Sequence, residues 1–164
     1  MLESQRETVP RDDAGELDTA VAFLSFARSC VLKKVAGLNE EQLRRRLVVS
    51  DTTLLGLVQH LVAAERYWFG YTLAGDPRHA EVDFDMVVEP GRSPDQIIAD
   101  YRAAIAESDA HIRAAGDPEV RTAQPVAEKP LTLRWVLAHM TGETVRHAGH
   151  ADILRELIDG TTGR

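Results

Sequence analysis

Apolar residues recur every three or four positions along most of the chain, the spacing that lays one stripe down an α-helix. Leu17, Val21, Leu24, Ala27, Val31 and Val35 form a first stripe, ended near Gly37, with Arg28 as its one imperfection. A second begins at "SDTT", where Ser50 to Thr52 offer N-cap oxygens. It runs through Leu54, Leu57, Val58, Leu61, Ala64, Trp68 and Tyr71 to the stop "AGDP". In the third, Ser93 is the N-cap, Pro94 the first helical residue and Gln96 the partner for a capping box. Its apolar set includes Ile97, Ile98, Tyr101, Ala104, Ile105 and Ile112, and "AAGDP" ends it. The fourth starts near Thr132 and continues for about 27 residues to "IDG", on Leu133, Val136, Leu137, Met140, Thr144, Ala151, Leu154 and Ile158.

Strand signals are nearly absent. The one β-prone patch, "VDFDMVV" at 82–88, falls in the connection between the second and third helices. That connection, roughly residues 75–92, is too long for a bundle hairpin and marks a functional segment or lid. The pattern therefore predicts an all-α chain: residues 1–16 as a flexible arm and 17–164 as a single four-helix bundle.

A chain of 164 residues with 44% hydrophobic and 27% charged composition can bury one sizeable core. The net charge of −7 and the lack of a basic stripe exclude a nucleic-acid surface. Arg44, Arg45 and Arg46 sit beside Glu40 and Glu41, as at a solvated helix end. No apolar run approaches the roughly 20 residues that cross a bilayer. The polar opening residues do not read as a secretory signal. The single cysteine, Cys30, has apolar neighbours and suits a buried thiol in a reducing cytoplasm.

The segment "HMTGETVRHAGHAD", residues 139–152, changes the picture, because His and Glu are rarely buried unless paired or metal-bound. Glu143 and His147, four apart, share the apolar face of the last helix. His60, next to Leu57 and Leu61, also points inward from the second. Two imidazoles and one carboxylate converging between helices form a ligand set for a divalent ion, with positions left for water or substrate. Three alternatives stand beside it: His150 in place of Glu143, His139 paired with Glu143, and a hydrogen-bonded cluster without metal. His139 and His147, roughly 12 Å apart along the axis, do not share an ion. His79 and His111 read as surface or satisfied histidines. Tyr67 and Trp68 read first as core, with a pocket mouth as the alternative. Arg146 and Arg155 read first as surface ion-pairing residues, with neighbours of Glu143 or with Glu156, and binding of an anionic substrate is the alternative. No catalytic triad, phosphate loop or dinucleotide fingerprint offers a rival chemistry.

"TTLLGLVQHLVAAERYWFGYTLAG" followed by "LTLRWVLAHMTGETVRHAGHADILRELIDGTTG" resembles the DinB-like superfamily, and more narrowly its small actinobacterial mini-circle-type proteins. The resemblance covers nearly the whole chain from residue 17. It implies a four-helix bundle of up-down-down-up connectivity with a long link between helices two and three. It also implies zinc or nickel held by a second-helix histidine, matching His60, and by a pair on the last helix whose second member matches His147. The first of that pair is Glu143 here, where many members have histidine. In that respect the chain is similar to mycothiol-dependent maleylpyruvate isomerase, whose triad is His, Glu, His.

The resemblance further implies a cytoplasmic enzyme that transfers or isomerises a small-molecule substrate with a low-molecular-weight thiol such as mycothiol. It also implies pairing into a homodimer. A metal-dependent hydrolase and a non-catalytic metal- or ligand-binding bundle are the alternatives.

Overall fold

The computed structural model describes residues 8–163. Its helices are α1 (Glu16–Val35), a single turn α2 (Glu40–Leu43), α3 (Leu54–Glu65), α4 (Pro94–Ala115) and α5 (Leu133–Asp159). Among the described residues there is no β-strand, so the chain is all-α. No helix among them is long and apolar enough to cross a membrane. Residues 1–7 of the expected arm lie outside the described residues, and residues 8–15 carry no helix.

The last helix starts where its sequence signal places it, with Thr132 accepting a hydrogen bond from the Trp135 amide. Two other helix starts differ from expectation. Thr53, not Ser50 to Thr52, caps α3 by accepting from the Gly56 amide at 3.0 Å. Ser93 caps α4, but the Gln96 side chain turns to Asp100 and does not close a capping box. The reciprocal box forms instead at α2, between Asn39 and Gln42. There Glu40 and Glu41 pair with Arg44 and Arg45 at an exposed helix end, as their spacing suggests.

The second predicted helix changes its winding midway. From Arg66 to Leu73 it continues as a π-helix, an unusual run that is often found at functional sites. The β-prone patch at 82–88 forms no strand. It lies extended along α3, with Gln59 donating to the carbonyls of Asp85 and Val87.

Two apolar clusters fill the interior. One joins Leu54, Leu57 and Leu61 to Cys30, Val31, Tyr101 and Leu154. The other joins Leu24, Phe69 and Ile112 to Leu133, Val136 and Met140. Between them, in sequence order on every long helix, sits a polar layer of Arg28, Glu65, Ser108, Thr144 and His147, all buried. Arg28, the break in the first stripe, forms a two-pronged ion pair with Glu65 at 2.7 and 2.6 Å and reaches Asp109 at 2.8 Å. One guanidinium thereby ties α1, α3 and α4 at the same level.

Helix directions follow from the contacts. Lys34 near the end of α1 pairs with Asp152 on α5 at 2.7 Å, and Glu16 at its start pairs with Arg134, so α1 and α5 run the same way. His60 stands beside Glu143 while Trp68 stands beside His139 and Trp135, so α3 runs opposite to α5. That crossing brings the α3 histidine to the α5 carboxylate.

Candidate metal centre

Glu143 and His147 lie one turn apart on α5, and His60 faces them from α3. Oε1 of Glu143 is 3.3 Å from His60 Nε2 and 3.0 Å from His147 Nε2. The two imidazole rings meet edge to face, with centroids 4.8 Å apart. One ligand atom from each of the three residues lies within 4.8 Å of the others. Donor atoms around a tetrahedral zinc ion stand about 3.3–3.6 Å apart at its usual bond lengths, so these separations suit a single ion.

The fit is chemical as well as geometric. His60 Nδ1 lies 2.8 Å from the Phe84 carbonyl oxygen, which can only accept, so Nδ1 carries the proton. In the neutral ring Nε2 then holds a lone pair, and that lone pair faces a carboxylate oxygen. Two such atoms at 3.3 Å repel unless a positive charge, a proton or a metal ion, lies between them. A carbonyl that orients a ligating histidine in this way is a common outer support of metal sites.

At His147, Nδ1 lies 3.4 Å from His150 Nδ1, a second partner that can fix a ring. Burial pushes the His147 pKa down, only partly countered by its hydrogen bond to Glu143, which keeps the ring neutral near pH 7. Burial pushes Glu143 up, but its contacts with the His147 and His60 rings outweigh it and hold the carboxyl below its usual range. His147 is thus a neutral imidazole beside a carboxylate, the charge state in which both can hold a cation.

The model of the family described as mycothiol S-transferase matches residues 19–160 of this chain. The chain belongs to that family. No curated protein matches it. The family is DinB-like, in keeping with the resemblance carried by the helix-two and last-helix segments.

In this mycothiol S-transferase family member, neither His139 nor His150 enters the three-residue group. His139 stacks on Trp135 with rings 12° from parallel and packs against Trp68, and burial lowers its pKa. His150 sits outside, on the rim of a cavity of about 290 Å³ that it shares with Val48, Ser50, Thr52, Ile153 and Leu154. Tyr67 and Trp68, expected in the core, are only half-buried, and the Tyr67 ring meets Phe84 at 5.5 Å. Arg155 pairs with Asp159, not Glu156, and donates to the carbonyls of Lys34 and Ala36. Arg146 is exposed.

Phe84 is the site residue that sequence reasoning did not find, because its contribution is a main-chain carbonyl that any residue supplies. A signal for it existed in Gly56. A Cβ there would come within 2.1 Å of the Met86 carbonyl oxygen, so only glycine lets the connection lie this close to α3.

Proposed function

We propose that the protein is a metal-dependent thiol S-transferase of the mycothiol type, with His60, Glu143 and His147 as the ligands of a zinc or nickel ion. The reading rests above all on the His60 ring, whose Nδ1 is committed to the Phe84 carbonyl while Nε2 faces Glu143 Oε1. A bound divalent ion would supply stabilisation of a thiolate, the reactive form of a low-molecular-weight thiol, near neutral pH.

The chain's own residues do the rest. The Phe84 carbonyl and His150 orient the two imidazoles. The connection through Asp85 and Val87, held by Gln59, covers the α3 side of the site. His150 lines the neighbouring cavity and is the group assigned to exchange a proton with a thiol arriving there. The small-molecule electrophile is assigned to the same cavity, whose lining is largely apolar.

The matching overall reading is an up-down-down-up four-helix bundle, supported by the run directions of α1, α3 and α5, with residues 17–164 as one domain. A cytoplasmic location follows from the reducing compartment that such thiols occupy. Homodimer pairing is assigned to the part of the α5 surface that exposes Val145 and Leu157.

The test is consumption of mycothiol, bacillithiol or glutathione with a bimane electrophile, with and without Zn²⁺ or Ni²⁺. Metal-dependent turnover with at least one thiol, abolished in H147A, is expected. Metal binding without turnover under every combination would favour a non-catalytic binding bundle. Metal-dependent ester or amide hydrolysis without thiol consumption would favour a hydrolase.

A further inference from the structure

The pattern of the α5 site recurs elsewhere in the molecule. Glu107 and His111 are four apart on α4, as Glu143 and His147 are on α5, and a histidine from another segment faces them. That histidine is His79, which closes a short 3₁₀ turn, Pro77–His79, after the π-helical segment. Its Nε2 lies 3.3 Å from both carboxylate oxygens of Glu107. His111 Nε2 lies 4.0 Å from Glu107 Oε1, and this nitrogen is buried with no hydrogen-bond partner. Asp76, which caps the 3₁₀ turn, brings a second carboxylate, and its oxygen, His79 and Glu107 meet within 4.8 Å.

Local structure has been shaped to hold His79 there. A Cβ on residue 70 would come within 2.5 Å of His79 Cδ2, so the ring packs into space that only a glycine in the π-helical turn leaves open. The group is also satisfied at present by a movable cation. Arg78 bridges Asp76 and Glu107, 3.0 Å from the latter, yet its side chain is 71% exposed. A guanidinium so placed can swing into solvent and leave both carboxylates to another positive charge.

We propose that Asp76, His79, Glu107 and His111 form a second divalent-cation site, separate from the α5 centre, that takes zinc when Arg78 swings out. Two neutral imidazoles and two carboxylates give a neutral complex with a doubly charged ion. Asp76, His79 and Glu107 bring three donors within 4.8 Å of one another, and His111 Nε2, 4.0 Å from Glu107 Oε1, is the fourth that would complete a tetrahedral shell. Bound there, the ion locks the turn after the π-helical segment onto α4. The site owes nothing to the thiol chemistry proposed above and stands or falls apart from it.

The decisive experiment titrates the metal-stripped full-length chain with Zn²⁺ against a chromophoric chelator, with bound zinc counted by elemental analysis. Two ions per chain are expected for the unmodified protein, one for H60A/H147A and one for H79A/H111A. Cobalt in H60A/H147A is expected to give the intense visible bands of a tetrahedral site. R78A, at an exposed position that does not threaten folding, is expected to bind the second ion about tenfold more tightly, since a competing cation is gone.

Two ions retained in H79A/H111A, or an R78A variant with unchanged or weaker zinc binding, would overturn the proposal. A single ion lost in H79A/H111A but kept in H60A/H147A would instead support it while removing the α5 centre.

Discussion

His60 and Glu143 face each other across α3 and α5 with Nε2 and Oε1 3.3 Å apart, and Nδ1 on the far side of the ring donates to the Phe84 carbonyl. An α3 histidine held this way is set up to share a cation with the α5 pair. Metal affinity should therefore depend on all three side chains. H60A, E143A and H147A should each weaken zinc binding at this centre by more than the roughly 10–100-fold typical of losing an outer-shell support. Chelator competition reads the change. Wild-type affinity in any one of the three would remove that residue from the ligand set.

The support from Phe84 depends on how closely the connection lies on α3. G56A pushes a methyl group into the Met86 carbonyl, 2.1 Å from the ideal Cβ position, and so displaces the segment that carries Phe84. Zinc affinity at the α5 centre should fall by about 10–100-fold while far-UV circular dichroism stays helical. Unchanged affinity would mean that the His60 ring holds its orientation without the carbonyl.

Metal at a site present only in the folded chain should also stabilise it. Zinc at about 100 times its dissociation constant adds roughly 2.7 kcal/mol per site, and a strong chelator should lower the melting temperature accordingly. A melting temperature indifferent to both zinc and chelator would contradict any folded-state metal site.

The buried Arg28–Glu65 pair makes a separate prediction about stability. Both side chains are almost fully buried, so R28M strands the Glu65 carboxylate without its partner. Such a loss costs about 3–5 kcal/mol, and R28M/E65L should recover much of it. Urea denaturation measures both. A loss under about 1 kcal/mol in R28M would mean that solvent reaches the polar layer.

Acid stability should show the hydrogen bonds at the end of α5. The Arg155 side chain, with help from Thr161, lowers the Asp159 pKa to about 2. A carboxyl lowered on folding from about 3.9 contributes its stability above the unfolded value and loses it as pH falls toward the folded one. The gap in stability between the wild type and D159N should therefore narrow as pH drops from about 4 to about 2. Acid titration followed by circular dichroism checks it, and a gap that widens over this interval would reverse the sign.

Much of this molecule was written in residue spacing. The three- and four-residue periodicity defines the long helices, and Thr132 and Gly160 bound α5 because a hydroxyl cap and a left-handed glycine are local devices. The inward faces of His60, Glu143 and His147 follow from the same periodicity. Features that depend on neighbours distant in sequence stayed hidden. Arg28 reads as a flaw until Glu65 and Asp109 are seen around it, because a buried charge is explained only by its partners. His79 and His111 read as ordinary histidines until the fold sets Glu107 beside both. The π-helical turn and the Phe84 carbonyl lie further still from the sequence, since one is a choice of backbone winding and the other a main-chain atom common to every residue. Periodicity determined which faces turn inward, and only tertiary packing decided which polar groups meet there, because pairing between helices is set by three-dimensional register and not by order along the chain.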